Sequence, residues 1–135
     1  MDNIFEPSLQ KTNELLHNIE DKMGWEDRKN QAYQALRAVL HSLRDRMSPD
    51  MVIKFSAQLP LFIKGILIEG WKFEENPIKY NREEFLQNIA FQLPYTVEDL
   101  ETLFSAVLDS LRDLIGDEEI EKIKSLMPNG LKEIF

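Results

Sequence analysis

Apolar residues recur three or four positions apart over most of this chain, which is the spacing of one face of an α-helix. The segment from 36 to 47 is the clearest case, with apolar side chains at Leu36, Val39, Leu40, Leu43 and Met47. The sequence contains no sustained alternation of apolar and polar residues, the pattern typical of a half-buried strand. It therefore predicts an all-α protein.

The helical pattern occurs twice, 68 positions apart. Without any gap, eleven of the 33 positions from Ala35 to Leu67 hold the same residue in both places, where ordinary composition would give roughly two. The identical pairs are Ala38 and Ala106, Val39 and Val107, Leu40 and Leu108, Ser42 and Ser110, Leu43 and Leu111, Arg44 and Arg112, Asp45 and Asp113, Lys54 and Lys122, Pro60 and Pro128, Lys64 and Lys132, and Ile66 and Ile134. This predicts an internal duplication.

Each copy contains about four helices. Pro60 and Pro128 each mark a corner after which another short helix can start. A leading helix repeats too, since "LLHNI" at 15–19 is similar to "FLQNI" at 85–89. Eight helices are therefore expected.

Two copies are fewer than the roughly three that an open solenoid needs, so the halves should close on each other. We expect a compact helical bundle of two pseudo-symmetric repeats in a single domain, 1–135. The first repeat covers about 9–70, the linker about 71–81 and the second repeat about 82–135.

Three helix starts carry capping signals. Asn81 followed by Glu84 forms a capping box, and Thr96 followed by Asp99 has the same spacing. Asp117, directly after a glycine, is expected to cap the helix that follows it.

The charge and composition restrict the class of partner. A formal net charge of -8 opposes binding to nucleic acid, and the absence of cysteine fits a reducing compartment.

Charged residues interrupt the apolar segment from Met51 to Trp71. Its longest uncharged stretch is shorter than the roughly 18 apolar residues that a membrane span requires. With an acid at position 2 and no apolar leader, no signal peptide is expected, and the default location is cytoplasmic.

The motifs "LRAVLHSLRDR", "AQLP" and "EGW", with "REEFL" from Arg82, resemble the bacterial family called domain of unknown function 2267. The resemblance covers nearly the whole chain. It implies an all-helical fold and no established activity.

Two arginines are candidate ligand contacts because both copies contain them. Arg44 and Arg112 are each followed by an aspartate, and pairing with Asp50 or Glu118 across the next turn is the structural interpretation. The functional interpretation is that pseudo-symmetry brings both guanidinium groups to one groove for a carboxylate or phosphate.

The linker supplies three further candidates. Trp71, Phe73 and Tyr80 are expected either to pack across the core or to anchor a partner protein.

Motifs for catalysis, cofactors and metals are missing from the sequence. The Glu14 and His17 pair lacks the second Glu-x-x-His of a di-iron site, because Ala38 precedes His41 at that spacing. We therefore expect a non-enzymatic interaction or adaptor module that binds a protein partner or a second copy of itself. The alternative is a small-molecule-binding protein or carboxylate-based enzyme with a pocket between the repeats.

Overall fold

The computed structural model describes residues 3–135, so the acidic position 2 used in the signal-peptide argument lies outside it. Within these residues the fold consists of eight α-helices without strands, which confirms the predicted class and helix number. The helices are α1 (Glu6–Met23), α2 (Lys29–Arg46), α3 (Pro49–Ser56), α4 (Leu61–Ile68), α5 (Arg82–Gln92), α6 (Leu100–Ile115), α7 (Asp117–Ser125) and α8 (Asn129–Lys132). A 3-10 turn, Phe73–Glu75, lies in the linker.

None of these helices has both the length and the apolar character needed to cross a membrane. The apolar segment from 51 to 71 instead contains α3 and α4, joined at Pro60.

Two of the predicted helix starts differ from the structure. The Asn81 capping box is present, with the Asn81 side chain 2.8 Å from the Glu84 amide nitrogen. However, α6 begins at Leu100 and is capped by Asp99, whose carboxylate accepts from the Thr102 amide at 3.1 Å. The prediction that Thr96 caps this helix was wrong. Asp99, three residues further along the chain, also has a side-chain oxygen that can accept a backbone hydrogen bond, and it caps the helix instead.

Asp117 is also not a cap. Gly116 occupies the N-cap position of α7 with φ +97°, a conformation that glycine adopts without strain. Asp117 is therefore the first residue inside the helix, and its carboxylate lies beside Arg112 instead.

The leading helix of each half packs on the long helix of the other half. Helix α1 packs on α6, and α5 packs on α2, while α1 also packs along α2. The peripheral helices are less alike: α4 packs on α2 and α1, whereas α6 packs on α7 and its contacts with α8 are few or absent. The difference has a physical reason, since α8 is only four residues long and α4 has eight.

Residues on both sides of the linker contribute to one hydrophobic core. At eight positions of the repeat, both copies bury an apolar side chain larger than alanine. These pairs are Leu36 and Phe104, Val39 and Val107, Leu40 and Leu108, Leu43 and Leu111, Val52 and Ile120, Phe55 and Ile123, Leu59 and Met127, and Ile63 and Leu131. Each such side chain contributes about 1.5–3 kcal/mol by leaving water, so this shared core is the main source of stability.

Ser42 and Ser110 are equivalent and both fully buried, yet they bond differently. Ser42 Oγ accepts hydrogen bonds from Asn88 Nδ2 at 2.9 Å and Gln92 Nε2 at 3.2 Å, which join α2 to α5. Ser110 Oγ donates to the Ala106 carbonyl of its own helix at 2.8 Å. Of these two serines, only Ser42 joins a helix before the linker to a helix after it.

Replacing Ser42 with alanine removes the acceptor of two half-buried amide groups, so we expect a loss of about 1–2 kcal/mol in the free energy of unfolding. Ser110→Ala removes only a local bond and should change it by less than about 0.5 kcal/mol. Urea denaturation of both variants gives the comparison. Equal losses would contradict the assignment of Ser42 as a link between the halves.

Candidate functional site

A cleft of about 520 Å³ lies between α3 and α7. Its ten lining residues form five pairs whose members are 68 positions apart in the sequence. The pairs are Met51 and Glu119, Lys54 and Lys122, Phe55 and Ile123, Ala57 and Ser125, and Gln58 and Leu126. The two helices therefore present the same positions of the repeat to one space.

The degree of exposure also matches within each pair. Phe55 and Ile123 are both buried and form the floor of the cleft, while Lys54 and Lys122 are both exposed. Helix α3 packs on α4, and α7 packs on α6 and α8, whereas contacts between α3 and α7 are few or absent. The buried floor between them is therefore bordered by exposed side chains, among them Ala57 and Leu126.

The chemistry of the cleft suits binding. Its charged side chains are two lysines and Glu119, whose Oε1 lies 3.3 Å from Lys122 Nζ. Ser125 Oγ donates to the Lys122 carbonyl at 2.7 Å, and no histidine lines the cleft to activate it. Across residues 3–135, no cluster of three or more His, Cys, Asp or Glu could hold a metal ion.

Arg44 is buried, with 6% of the residue exposed, and its guanidinium group holds the end of α4. Its Nη1 donates to the carbonyls of Leu67 at 3.0 Å and Glu69 at 2.9 Å. Its Nε donates to Asp45 Oδ1 at 2.9 Å. The partner carboxylate is thus Asp45, not the predicted Asp50.

His41 extends the same capping arrangement. Its Nε2 donates to the Ile66 carbonyl at 2.6 Å, so side chains of α2 bond carbonyls at the C-terminal end of α4, where no intrahelical donors remain. Burial lowers the pKa of His41 below its ordinary value of 6.5. Arg44 and Arg37 lower it further, while the hydrogen bond to Ile66 and the Asp45 carboxylate raise it.

Arg112 has a different environment from Arg44. Its Nη1 donates to Asp109 Oδ1 at 2.9 Å, and Asp109 stands where the first half has His41. Its Nε lies 2.8 Å from Asp117 Oδ1, without the geometry of a hydrogen bond. The carboxylates beside it are Asp109, Asp117 and Glu121, not the predicted Glu118.

The two arginines therefore bind separate sets of partners, and neither lines the cleft between α3 and α7.

The linker is attached to the C-terminal end of α2. Asn76 Nδ2 donates to the carbonyls of Arg44 at 2.6 Å and Met47 at 2.8 Å. The Ile78 amide donates to the Asp45 carbonyl at 2.7 Å. Trp71 Nε1 donates to Asn76 Oδ1 at 3.0 Å, which places this half-buried indole within the same network.

The other two linker aromatics differ in exposure. Tyr80 is half-buried, and burial, with the carboxylates of Asp45, Glu75 and Glu84, raises the pKa of its hydroxyl. Phe73 is 62% exposed and packs edge-on against the Trp71 ring. Phe73 is thus the linker aromatic with the most surface available to a partner.

Sequence reasoning suggested a groove or pocket between the repeats but did not identify the residues that line the cleft, although a signal for them was present. Lys54 and Lys122 are an identical pair, each followed by a large apolar residue on a short helix. Asn76 had no comparable signal, because its partners on α2 are about thirty positions away.

Replacing Arg44 with methionine keeps the aliphatic packing but leaves the Leu67 and Glu69 carbonyls and the Asp45 carboxylate without their donors. We expect a loss of about 3 kcal/mol in the free energy of unfolding, measured by urea denaturation. Arg112→Met is the matched control and should cost about 1 kcal/mol or less, since its partner carboxylates are half or more exposed. A larger loss in Arg112→Met would contradict this assignment.

The lowered pKa of His41 makes stability depend on pH. As pH falls below about 6.5, His41 is protonated more readily in the unfolded chain than in the folded protein. The free energy of unfolding should therefore decrease. In His41→Gln the decrease between pH 7.5 and 5.5 should be smaller than in the wild type. His17→Gln, at an exposed position, should retain the wild-type decrease, and identical pH profiles for the two variants would contradict the prediction.

A search of the curated proteins gives no match to this chain. The family model described as uncharacterized conserved protein (DUF2267) matches residues 12–134, nearly the whole chain, which confirms the resemblance seen in the motifs. The chain therefore belongs to the DUF2267 family.

Proposed function

We propose that this chain is a non-enzymatic interaction module whose cleft between α3 and α7 receives one amphipathic helix of a protein partner. The observation that carries the proposal is the lining of the cleft by five repeat-related pairs. The proposed location is the bacterial cytoplasm, supported by the absence of cysteine from the sequence.

The proposal includes a single domain of two pseudo-symmetric halves, about 9–70 and 82–135. Three observations support it: the sequence repeat, the reciprocal packing of α1 on α6 and α5 on α2, and the shared burial of repeat-related positions. In this arrangement the cleft lies on the approximate two-fold axis, where the equivalent faces of α3 and α7 meet.

A helix suits this cleft because two helices already form its walls. Phe55 and Ile123 give an apolar floor, and polar side chains such as Lys54 and Gln58 line the edges. An amphipathic helix that places its apolar stripe on such a floor keeps its polar face in water. Burial of the apolar surface that is still exposed around this floor, such as the Ala57 and Leu126 side chains, would then supply most of the binding free energy.

The linker and the arginines are weaker candidates for the binding surface. Trp71, Arg44 and Arg112 are engaged in internal hydrogen bonds, which a partner would have to break. Phe73 is exposed but stands on a short 3-10 turn and does not line the cleft between α3 and α7.

The alternative, a small ligand or carboxylate-based catalysis, has one observation in its favour. A volume of about 520 Å³ is within the range of small-molecule pockets. Specific ligand recognition or catalysis would, however, require convergent Arg, Asp or Tyr groups, and among the described residues none of these lines the cleft. The composition of the cleft therefore favours an apolar helix face.

Filling the cleft should abolish binding of a helix. We expect peptides selected on the wild-type protein from a displayed library of amphipathic helices to bind Ala57→Trp and Ser125→Trp at least about tenfold more weakly, because both indoles would occupy the space above the floor. Fluorescence anisotropy with the labelled peptides measures the dissociation constants.

Gln87→Trp, at an exposed position of α5 away from the cleft, is the control and should bind the same peptides as the wild type. Circular dichroism should show that all three variants stay folded. The proposal fails if the library yields no binder, or if the selected peptides bind both cleft variants with wild-type affinity.

A further inference from the structure

The cleft is a locally positive site on an acidic protein. The whole chain has a formal net charge of -8, yet the ten lining residues carry two lysines and one glutamate, which gives +1. The surrounding negative charge repels polyanions such as nucleic acid. A single carboxylate placed inside the cleft would avoid most of that repulsion and lie close to the lysines.

The two walls of the cleft differ at one charged position. Glu119 on α7 is the repeat-related counterpart of Met51 on α3. Glu119 Oε1 lies 3.3 Å from Lys122 Nζ, so the charge of Lys122 is already balanced by its own helix. Since methionine replaces that carboxylate on the other wall, Lys54 lacks the equivalent partner.

Lys54 is the uncompensated cation of the cleft. Among residues 3–135, no carboxylate oxygen lies within 4.0 Å of its Nζ, whereas Lys122 has Glu119. Lys54 is exposed and lines the same cleft as the buried Phe55. A ligand that covers Phe55 and Ile123 would therefore bring its flanking residue next to Lys54.

We infer that the partner helix carries one acidic side chain, Glu or Asp, at the edge of its apolar stripe, and that this carboxylate pairs with Lys54. The inference rests on the proposed function, because it assumes that a helix occupies the cleft. The pair also sets the orientation of the helix, since the nearly equivalent walls would otherwise accept it in either direction. Charge pairs at an interface edge contribute to specificity and register more than to affinity.

The experiment uses the same displayed library of amphipathic helices, with the residues that flank the apolar stripe randomised. On the wild-type protein, selection should enrich Glu or Asp at one flanking position. On Lys54→Glu, the preference at that position should change to Lys or Arg. Lys79→Glu, an equal charge change in the exposed linker, should leave the acidic preference intact.

Lys122, whose charge is balanced by Glu119, provides a second control. Lys54→Gln should weaken binding of the selected acidic peptide by about fivefold, as expected for an exposed ion pair. Lys122→Gln should weaken it less, because Glu119 already balances Lys122. An equal or larger effect in Lys122→Gln would overturn the assignment to Lys54.

The remaining outcomes separate the two proposals. Peptides that bind in the cleft without an acidic preference, or whose preference survives Lys54→Glu, would overturn this inference and leave the proposed function standing. A library that yields no cleft binder would overturn the proposed function itself.

Discussion

The structure depends on the enclosure of α2. Seven consecutive residues, from Ala38 to Arg44, are buried, so this helix has protein on all sides along two turns. A helix in that position must satisfy every polar side chain internally, because a buried donor or acceptor without a partner costs about 1–3 kcal/mol. His41 and Arg44 meet this requirement on the end of α4, and Ser42 meets it on α5. The same three residues therefore fix two neighbouring helices.

The second half contains nearly the same long helix in a different environment. In α6, Asp109 and Arg112 remain partly exposed, whereas their counterparts His41 and Arg44 are buried. Arg112 is accordingly surrounded by carboxylates at the surface, and Arg44 by backbone carbonyls in the interior. Identity between the copies thus preserves the apolar stripe, while the surroundings decide what each polar residue does.

Much of the fold was predictable from the sequence because helix formation and burial are local patterns. The spacing of Leu36, Val39, Leu40 and Leu43 identified α2, and the prolines marked the corners before α4 and α8. Helix starts were less predictable, since neighbouring residues such as Thr96 and Asp99 compete to cap the same helix. A groove or pocket between the repeats was predicted, but its lining residues were not, because the cleft exists only where α3 and α7 approach each other in three dimensions. For the linker aromatics the sequence left core packing and partner binding as alternatives, and the hydrogen bond from Trp71 to Asn76 that holds one of them inside the fold is a tertiary feature.

The cleft is lined by residues of α3 and α7 that lie 68 positions apart in the sequence. The central claim is that α3 and α7 act together as one binding surface. The most direct test is an NMR titration of the ¹⁵N-labelled protein with an amphipathic helical peptide selected on it. The account predicts amide shifts at repeat-related positions of both helices, around Phe55 and Ile123, while the Trp71 indole signal stays in place. Shifts centred on the linker, or confined to one of the two helices, would contradict it.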